Sequence, residues 1–423
     1  TGLAGLDPRS RKQNGCVAAV APARRAAYEV VLRVFEEDAY ADRVFRTVAS
    51  RLDERDRALA QQLAYGTVQR VRTLDHAIET LARRKVHRLD APVRAALRVG
   101  AYQLAFMGGI ARYAAVNESV ELVRGARLER AVPFTNAVLR RLTVGIRELI
   151  DSLPEGALKL SYPDWVEEVW TRDFGRDTAL ELMRAQNEPQ ELVVRRNRRR
   201  AGEIEGDPDP ELPDAVRVRR LDEAAVQAGL IWPQSRGSQL AGLCVGSRDG
   251  ERVLDLCAAP GGKATQLAGD VVAVEKHPGR ARELEENCAR MGATNVTVVC
   301  ADALELPDEL TGFDRALVDA PCSGLGVLAA RPDLRWRGAP LSELQLDLLR
   351  AAAGRVRPGG TILYSVCTLN ADENEAVVDA CGLEVEPLGD DWPGYRHPRR
   401  PEFLLTRPDL HRTSGFFIAR LRV

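Results

Sequence analysis

The sequence predicts an α/β domain built on a mostly parallel sheet, preceded by an all-α domain and a small α+β connector. Three observations carry this. From Arg252 onward, short apolar runs alternate with helical stretches. A polar residue closes each of those runs, as at Asp255, Glu275, Asp302, Asp319 and Cys367. Before about Leu142 the apolar residues recur at helix spacing, with no strand-like run among them.

Composition narrows the class. The chain has 423 residues, a mass of 46.5 kDa, 45% hydrophobic residues and a formal net charge of -1. No apolar run is long enough to cross a bilayer, so two or three soluble domains are expected, with no membrane partner. The first residues hold no basic stretch followed by an apolar core, which predicts a cytoplasmic protein with reduced thiols. Eight cysteines are scattered without a C-x-x-C or Cys/His cluster, so neither a disulfide framework nor a metal site is expected. Near-neutrality does not argue for nucleic acid, yet it permits a basic surface on one domain.

In chain order, residues 1–21 mix small, polar and basic residues without period and read as a disordered tail. Residues 22–148 read as a helical domain. Ala27, Val30, Val31, Val34 and Phe35 share one helix face, as do Leu59, Leu63, Ala64 and Val68. Further helices are predicted over Leu74 to Leu81, Pro92 to Phe106, Val116 to Val123 and Phe134 to Leu142. Arg70, Arg72, Arg83, Arg84 and Arg88 would stud the outside and offer an RNA-facing surface, although a solvated helix face reads the same way. Residues 149–240 form the connector: Pro163-Asp164-Trp165 opens a helix, and Leu192 to Val194 is a strand running into Arg195, Arg196, Arg198, Arg199 and Arg200, a cluster suited to phosphates. Gly206 to Pro213 reads as a loop.

Residues 241–423 form the α/β domain. Its first strand, Arg252 to Asp255, runs into Leu256, Cys257, Ala258, Ala259, Pro260, Gly261, Gly262 and Lys263. The paired glycines let backbone approach a ligand that a side chain would exclude. Strands follow at Val271 to Val274, Val296 to Cys300, Phe313 to Val318 and Thr361 to Val366, with a helix at Arg280 to Met291 and a closing strand within Ser414 to Arg420. In an open parallel sheet, ligands bind beyond the carboxyl ends of the strands, so Asp255, Glu275, Asp302, Asp319 and Cys367 should converge on one crevice. The loop is neither G-x-G-x-x-G nor G-x-x-x-x-G-K-[ST], which disfavours dinucleotides and nucleoside triphosphates. An acidic residue after the second strand suits ribose hydroxyls, and one after the third suits an adenine amino group. S-adenosylmethionine meets both demands. Lysine occurs only at positions 12, 85, 159, 263 and 276, which makes Lys263 in this loop conspicuous.

Two stretches bear on the chemistry: Asp319-Ala320-Pro321-Cys322-Ser323-Gly324 and Tyr364-Ser365-Val366-Cys367-Thr368-Leu369. Each sets a thiol just past a strand. Methylation of carbon 5 of a pyrimidine requires such a thiol, because addition at carbon 6 supplies electron density to carbon 5. A carboxyl group near ring nitrogen 3 favours the addition, and the proton on carbon 5 must leave before the thiol does. Cys16, Cys244, Cys288, Cys300 and Cys381 read instead as small buried hydrophobes.

On residues 252–263, Asp319 to Gly324 and Tyr364 to Leu369, the chain resembles the bacterial RsmB (Sun/Fmu) group of RNA 5-methylcytosine methyltransferases, in the family that also contains the Nop2/NSUN enzymes. The resemblance implies a Rossmann-like S-adenosylmethionine-dependent methyltransferase domain with a mostly parallel seven-stranded sheet. It implies that Cys257 to Lys263, Glu275, Asp302 and Asp319 bind or border the cofactor. Cys367 would be the nucleophile, Cys322 would assist release, and Asp319 would belong to the catalytic set. It also implies that residues 23–142 are a NusB-like RNA-binding domain and that the partner is RNA, 16S ribosomal RNA in this group, with no obligate protein partner. Two positions depart from the pattern: Ser235 replaces a common Asp, and Glu275 stands where Asp is commoner. Two rival readings are a non-catalytic RNA-binding assembly factor and a DNA cytosine methyltransferase. The first would be signalled by loss of Cys367, and the second by a large target-recognition insertion and a single Pro-Cys nucleophile. Neither sign is present.

Overall fold

The computed structural model describes residues 20–423. Cys16 and the expected tail, apart from its last two residues, lie outside the described residues. The chain divides into two compact units, with the division between Leu153 and Pro154.

The first unit is helical. It comprises α1 (Pro22–Glu36), α2 (Ala41–Val48), α3 (Glu54–Ala82), α4 (Ala91–Phe106), α5 (Arg112–Gly125) and α6 (Val132–Asp151). Ala23, Ala27, Val30, Val31 and Val34 form the buried stripe of α1, following the predicted spacing. The two helices expected around Leu63 and Leu74 are one continuous helix, α3, because nothing between Val68 and Leu74 stops it. Asp53 starts that helix by accepting the Asp56 backbone N–H at 2.8 Å. Gly66 at its middle costs about 1 kcal/mol in helix propensity. It permits close approach instead, since a Cβ there would fall 2.1 Å from ring atoms of Tyr102 on α4. Arg83, Arg84 and Arg88 are exposed at the end of α3 and just beyond it.

The second unit opens with α7 (Ala157–Leu160), α8 (Asp164–Phe174) and α9 (Arg176–Ala185). A small antiparallel sheet follows, in the order β2-β3-β1-β4, from β1 (Val193–Arg196), β2 (Asp207–Pro208), β3 (Ala215–Arg217) and β4 (Ile231–Pro233). The predicted loop at 206–213 thus holds the two-residue strand β2. The short α10 (Glu223–Gln227) and then α11 (Arg236–Cys244) complete the approach to the main sheet. Ser235 is the residue before α11, and its hydroxyl accepts the Ser238 N–H at 3.4 Å. The position that departs from the family pattern serves as a helix cap.

The main sheet contains β5 (Arg252–Asp255), β6 (Asp270–Val274), β7 (Val296–Val299), β8 (Phe313–Asp319), β9 (Val356–Val366), β10 (Glu384–Glu386), β11 (Leu404–Thr406) and β12 (Phe416–Arg422). Seven strands run in the path β10-β12-β9-β8-β5-β6-β7, and β11 pairs with β12 beside that path. Pairing is parallel from β9 through β7 and antiparallel where β12 joins β9 and where β10 and β11 join β12. The crossovers include α12 (Pro278–Met291), α13 (Ser342–Ala353) and α14 (Glu375–Cys381); α15 (Pro408–His411) precedes the last strand.

The strand pleat divides the core. Leu254, Val272, Val318, Ile362 and Phe417 pack with residues of α8, α9, α13 and α14. Val253, Val271, Leu317, Leu363 and Ile418 pack with Leu240, Ala241 and Cys244 of α11. Helices on both faces explain why these strands read as continuous apolar runs. From β5 the chain moves out to β6 and β7, then returns to place β8 on the other side of β5. That reversal opens a crevice at the carboxyl ends of β5 and β8, where Asp255 and Asp319 stand. Among the described residues, no helix is long and apolar enough to cross a membrane.

Candidate active site

The crevice contains two adjoining chambers. One, of about 350 Å³, is lined by Cys257, Glu275, Asp302 and Asp319, with apolar walls from Leu304, Leu344 and Leu348. The other, of about 320 Å³, is lined by Asp255, Cys257, Lys263, Asp319, Cys367 and Phe416 among others. Cys257 and Asp319 belong to both, so a ligand in one chamber would border a ligand in the other.

The loop after β5 is held from beneath. Gly261 has φ +107°, in the left-handed region, and a Cβ on it would lie 2.8 Å from the Leu284 side chain of α12. Arg195 of β1 is buried, and its guanidinium donates to Gln234 Oε1 at 2.8 Å, the Gly262 carbonyl at 3.0 Å and Thr265 Oγ1 at 2.7 Å. Arg199 donates to the Thr265 carbonyl at 2.6 Å, and Arg200 to the Arg290 carbonyl at 3.4 Å. The expectation that this arginine cluster holds phosphates is therefore narrowed: Arg195 is buried and bonded to the domain itself, whereas Arg196, Arg198, Arg199 and Arg200 are exposed. Arg280 donates to the Ala259 carbonyl and Asn287 to the Pro260 carbonyl, each at 2.9 Å, while Ala258 donates its N–H to the Val274 carbonyl at 3.0 Å. Every segment of the loop is thus tied to neighbouring structure.

The strand-end carboxylates occupy different environments. Glu275 is buried, accepts the His277 N–H at 2.9 Å and pairs with Arg280 at 3.3 Å. Asp302 pairs with Lys276 at 2.6 Å, a contact that lowers its pKa. Asp319 accepts Lys263 Nζ on one oxygen at 2.7 Å and Ser365 Oγ on the other at 2.8 Å. Lys263 also lies 4.9 Å from the centre of the Phe416 ring, so the lysine singled out by its rarity faces the second chamber. Asp255 is the exception. Both its oxygens are buried with no hydrogen-bond partner, and burial, reinforced by the charge of Asp319, pushes it up to about 7.

The two thiols stand at the ends of adjacent strands, Cys322 after β8 and Cys367 after β9, with sulfurs 3.4 Å apart. The contact divides their acidities. Hydrogen bonding with Cys322 lowers the Cys367 thiol against its burial, and Lys263 acts in the same direction. Cys322 is raised by that bond, by burial, and by the charges of Cys367 and Glu373. Cys367 is therefore the more acidic thiol of the pair, and Cys322 the one that holds its proton more tightly. Of the other thiols, Cys244 and Cys288 are buried as expected, Cys381 is half-buried, and Cys300 is exposed on the loop after β7, contrary to expectation.

Glu373, Trp232 and Phe416 were not singled out in the sequence, and Arg195 was read there as a phosphate ligand rather than as a support of the loop. One signal was available: a hydroxyl residue directly follows each thiol, at Ser323 and Thr368.

S-adenosylmethionine fits this crevice. Its ribose and adenine would find acceptors in Glu275 and Asp302 beside apolar walls of the first chamber, and its sulfonium and ammonium would suit Asp319, which borders both chambers, and the buried Asp255 of the second. A doubly wound sheet with such a crevice at its switch point, joined in one chain to a helical unit, defines a Rossmann-like methyltransferase with an accessory helical domain. The comparisons with known proteins make this particular. Residues 243–422 match the family model described as 16S rRNA methyltransferase RsmB/F, and residues 21–143 match the NusB family. A probable ribosomal RNA small subunit methyltransferase B of Synechocystis sp. is 31% identical over 95% of this chain and 99% of its own length. A putative methyltransferase of Mycobacterium tuberculosis is 34% identical over 95% of this chain and 96% of its own. The crystal structure of PH0851 covers 96% of this chain and 99% of its own with TM-score 0.79; at 24% identity it supports the fold alone. The chain belongs to the ribosomal RNA small subunit methyltransferase B family, whose members are S-adenosylmethionine-dependent methyltransferases with a NusB-like RNA-binding domain.

Proposed function

We propose that this protein methylates carbon 5 of a cytosine in small-subunit ribosomal RNA through a covalent adduct between Cys367 and carbon 6. The observation that carries the reading is the pair of thiols 3.4 Å apart, of which Cys367 lines, with Asp319, the chamber adjoining the one that suits S-adenosylmethionine. One thiol would suffice for a structural role or a simple nucleophile. Two with opposed acidities suit a reaction in which a sulfur must both attack and leave.

In this reading S-adenosylmethionine, held by Cys257 to Lys263, Glu275 and Asp302, supplies the methyl group. Cys367 attacks as the thiolate, forming the bond to carbon 6 and moving an electron pair toward carbon 5. Asp319, fixed by Lys263 and Ser365, is the group assigned to ring nitrogen 3, where hydrogen bonding favours that addition. Once carbon 5 has gained the methyl group, a water molecule takes its proton, the C–H electron pair restores the double bond to carbon 6, and the bond to Cys367 breaks with its electron pair returning to sulfur. The Cys322 thiol then donates a hydrogen bond to the departing thiolate, which is how it assists release. The family membership of the helical unit and of the relatives supports RNA, and small-subunit ribosomal RNA in particular, as the substrate.

The test is to incubate the purified protein with small-subunit ribosomal RNA and labelled S-adenosylmethionine, then identify the modified nucleoside and map it by bisulfite sequencing in cells with and without the gene. The expected product is 5-methylcytosine at a position that loses protection when the gene is removed. Label on another atom, or no change on removal, contradicts the proposal.

A further inference from the structure

Glu373 is fully buried, and its carboxylate joins the two thiol loops. One oxygen accepts the Ser323 N–H at 2.9 Å, the Leu341 N–H at 3.1 Å and Gln345 Nε2 at 3.0 Å. The other accepts the Ser323 hydroxyl in a very short contact, with Thr368 Oγ1 at 3.4 Å and Asn370 Nδ2 at 3.5 Å. Ser323 follows Cys322 directly and Thr368 follows Cys367 directly, and their hydroxyls lie 2.7 Å apart. Its main-chain carbonyl accepts the Tyr364 hydroxyl at 2.6 Å, which ties the same residue to β9. All these partners are neutral donors. A buried carboxylate satisfied this way is costly to assemble and fixes its donors in one arrangement.

We propose that Glu373 is the positioning residue that fastens the Cys322 and Cys367 loops to each other and, through its charge beside Cys322, makes Cys367 the reactive thiol of the pair. Two like thiols 3.4 Å apart would otherwise have little to distinguish them. Different groups act on the two thiols: Lys263 lowers Cys367 and Asp319 opposes it, whereas Glu373 raises Cys322. A negative charge beside Cys322 keeps its proton in place, and that proton is the one offered to Cys367. Glu373 lines neither chamber. Its influence passes through Ser323, Thr368 and the field at Cys322.

The inference deepens the two-thiol reading and rests on it for its purpose, but its test uses neither RNA nor cofactor. The full-length protein is briefly treated with limiting iodoacetamide across a series of pH values, and the label on the Cys322 and Cys367 peptides is measured by mass spectrometry. The wild type should label Cys367 in preference. Glu373→Gln should shift the ratio toward Cys322 by roughly tenfold, with the pH midpoint of Cys322 labelling moving down by about one unit. An unchanged ratio and pH profile in a folded Glu373→Gln protein overturns the proposal, as does a lower melting temperature with an unchanged ratio, which marks a purely structural residue. Ser323→Ala and Thr368→Val each sever one tie while leaving the carboxylate, and should change the ratio in the same direction by a few-fold. If Glu373→Gln does not fold, an unchanged ratio in both of these variants overturns the proposal. Failure to find 5-methylcytosine in RNA would refute the methylation reading while leaving the labelling result intact.

Discussion

Asp255 stands at the end of the strand where the switch point opens, and neither of its oxygens has a hydrogen-bond partner. Burial and Asp319 raise its pKa from the ordinary 3.8 to about 7. The native protein then binds this proton more tightly than the unfolded chain does, so the stability linked to it is complete below the ordinary value and is lost as pH rises through 7. Asp255→Asn should flatten the dependence of melting temperature on pH between about 4 and 8 and raise the melting temperature at the upper end. An unchanged slope would remove Asp255 from this role. The position of Asp255 was legible because it closes an apolar run. Its isolation was not, because that depends on what the loops of other strands fail to offer it. The reverse holds for Glu373, whose donors come from Ser323, Leu341, Gln345, Thr368 and Asn370, on separate stretches of chain.

At the scale of elements, the strands of the main sheet were legible because both of their faces are covered and each therefore reads as an apolar run. The order β8-β5-β6, and with it the crevice, follows from the parallel crossovers. The service of β1 to the loop after β5 was not legible. Arg195 lies in a run of arginines that reads as a phosphate site, and only tertiary structure turns its guanidinium onto Gly262 and Thr265. That loop makes two predictions. Gly261→Val must place a branched side chain at φ +107° and against Leu284, so it should abolish S-adenosylmethionine binding in calorimetry while the circular dichroism spectrum is retained. Unchanged affinity in a folded variant would place the cofactor elsewhere. Arg195→Met removes three hydrogen bonds beneath the loop and leaves their acceptors buried, so it should weaken cofactor binding at least tenfold, equivalent to about 1.4 kcal/mol. Equal affinity would show that the loop holds its shape without β1.

At the scale of the molecule, two compact units divide at Pro154, and the residues discussed for chemistry all belong to the second. The helical unit was legible from its 3.6-residue periodicity, although the continuity of α3 was not, because a helix pattern does not announce where it declines to stop. A truncated chain beginning at Pro154 should keep its affinity for S-adenosylmethionine but bind ribosomal RNA more weakly, with a shallower dependence on salt because fewer phosphates are neutralised. An equal salt slope for the full and truncated chains would argue that the helical unit contributes no phosphate contacts.

The central claim is that the two thiols divide the work, with Cys367 attacking and Cys322 assisting departure. The measurement that bears on it most directly is a denaturing gel of the protein after incubation with ribosomal RNA and S-adenosylmethionine. Cys322→Ala should still attack and methylate but release slowly, so a protein-RNA adduct accumulates, whereas Cys367→Ala should give neither adduct nor methylated RNA. An inactive, adduct-free Cys322→Ala beside an active Cys367→Ala would contradict the account and make Cys322 the nucleophile.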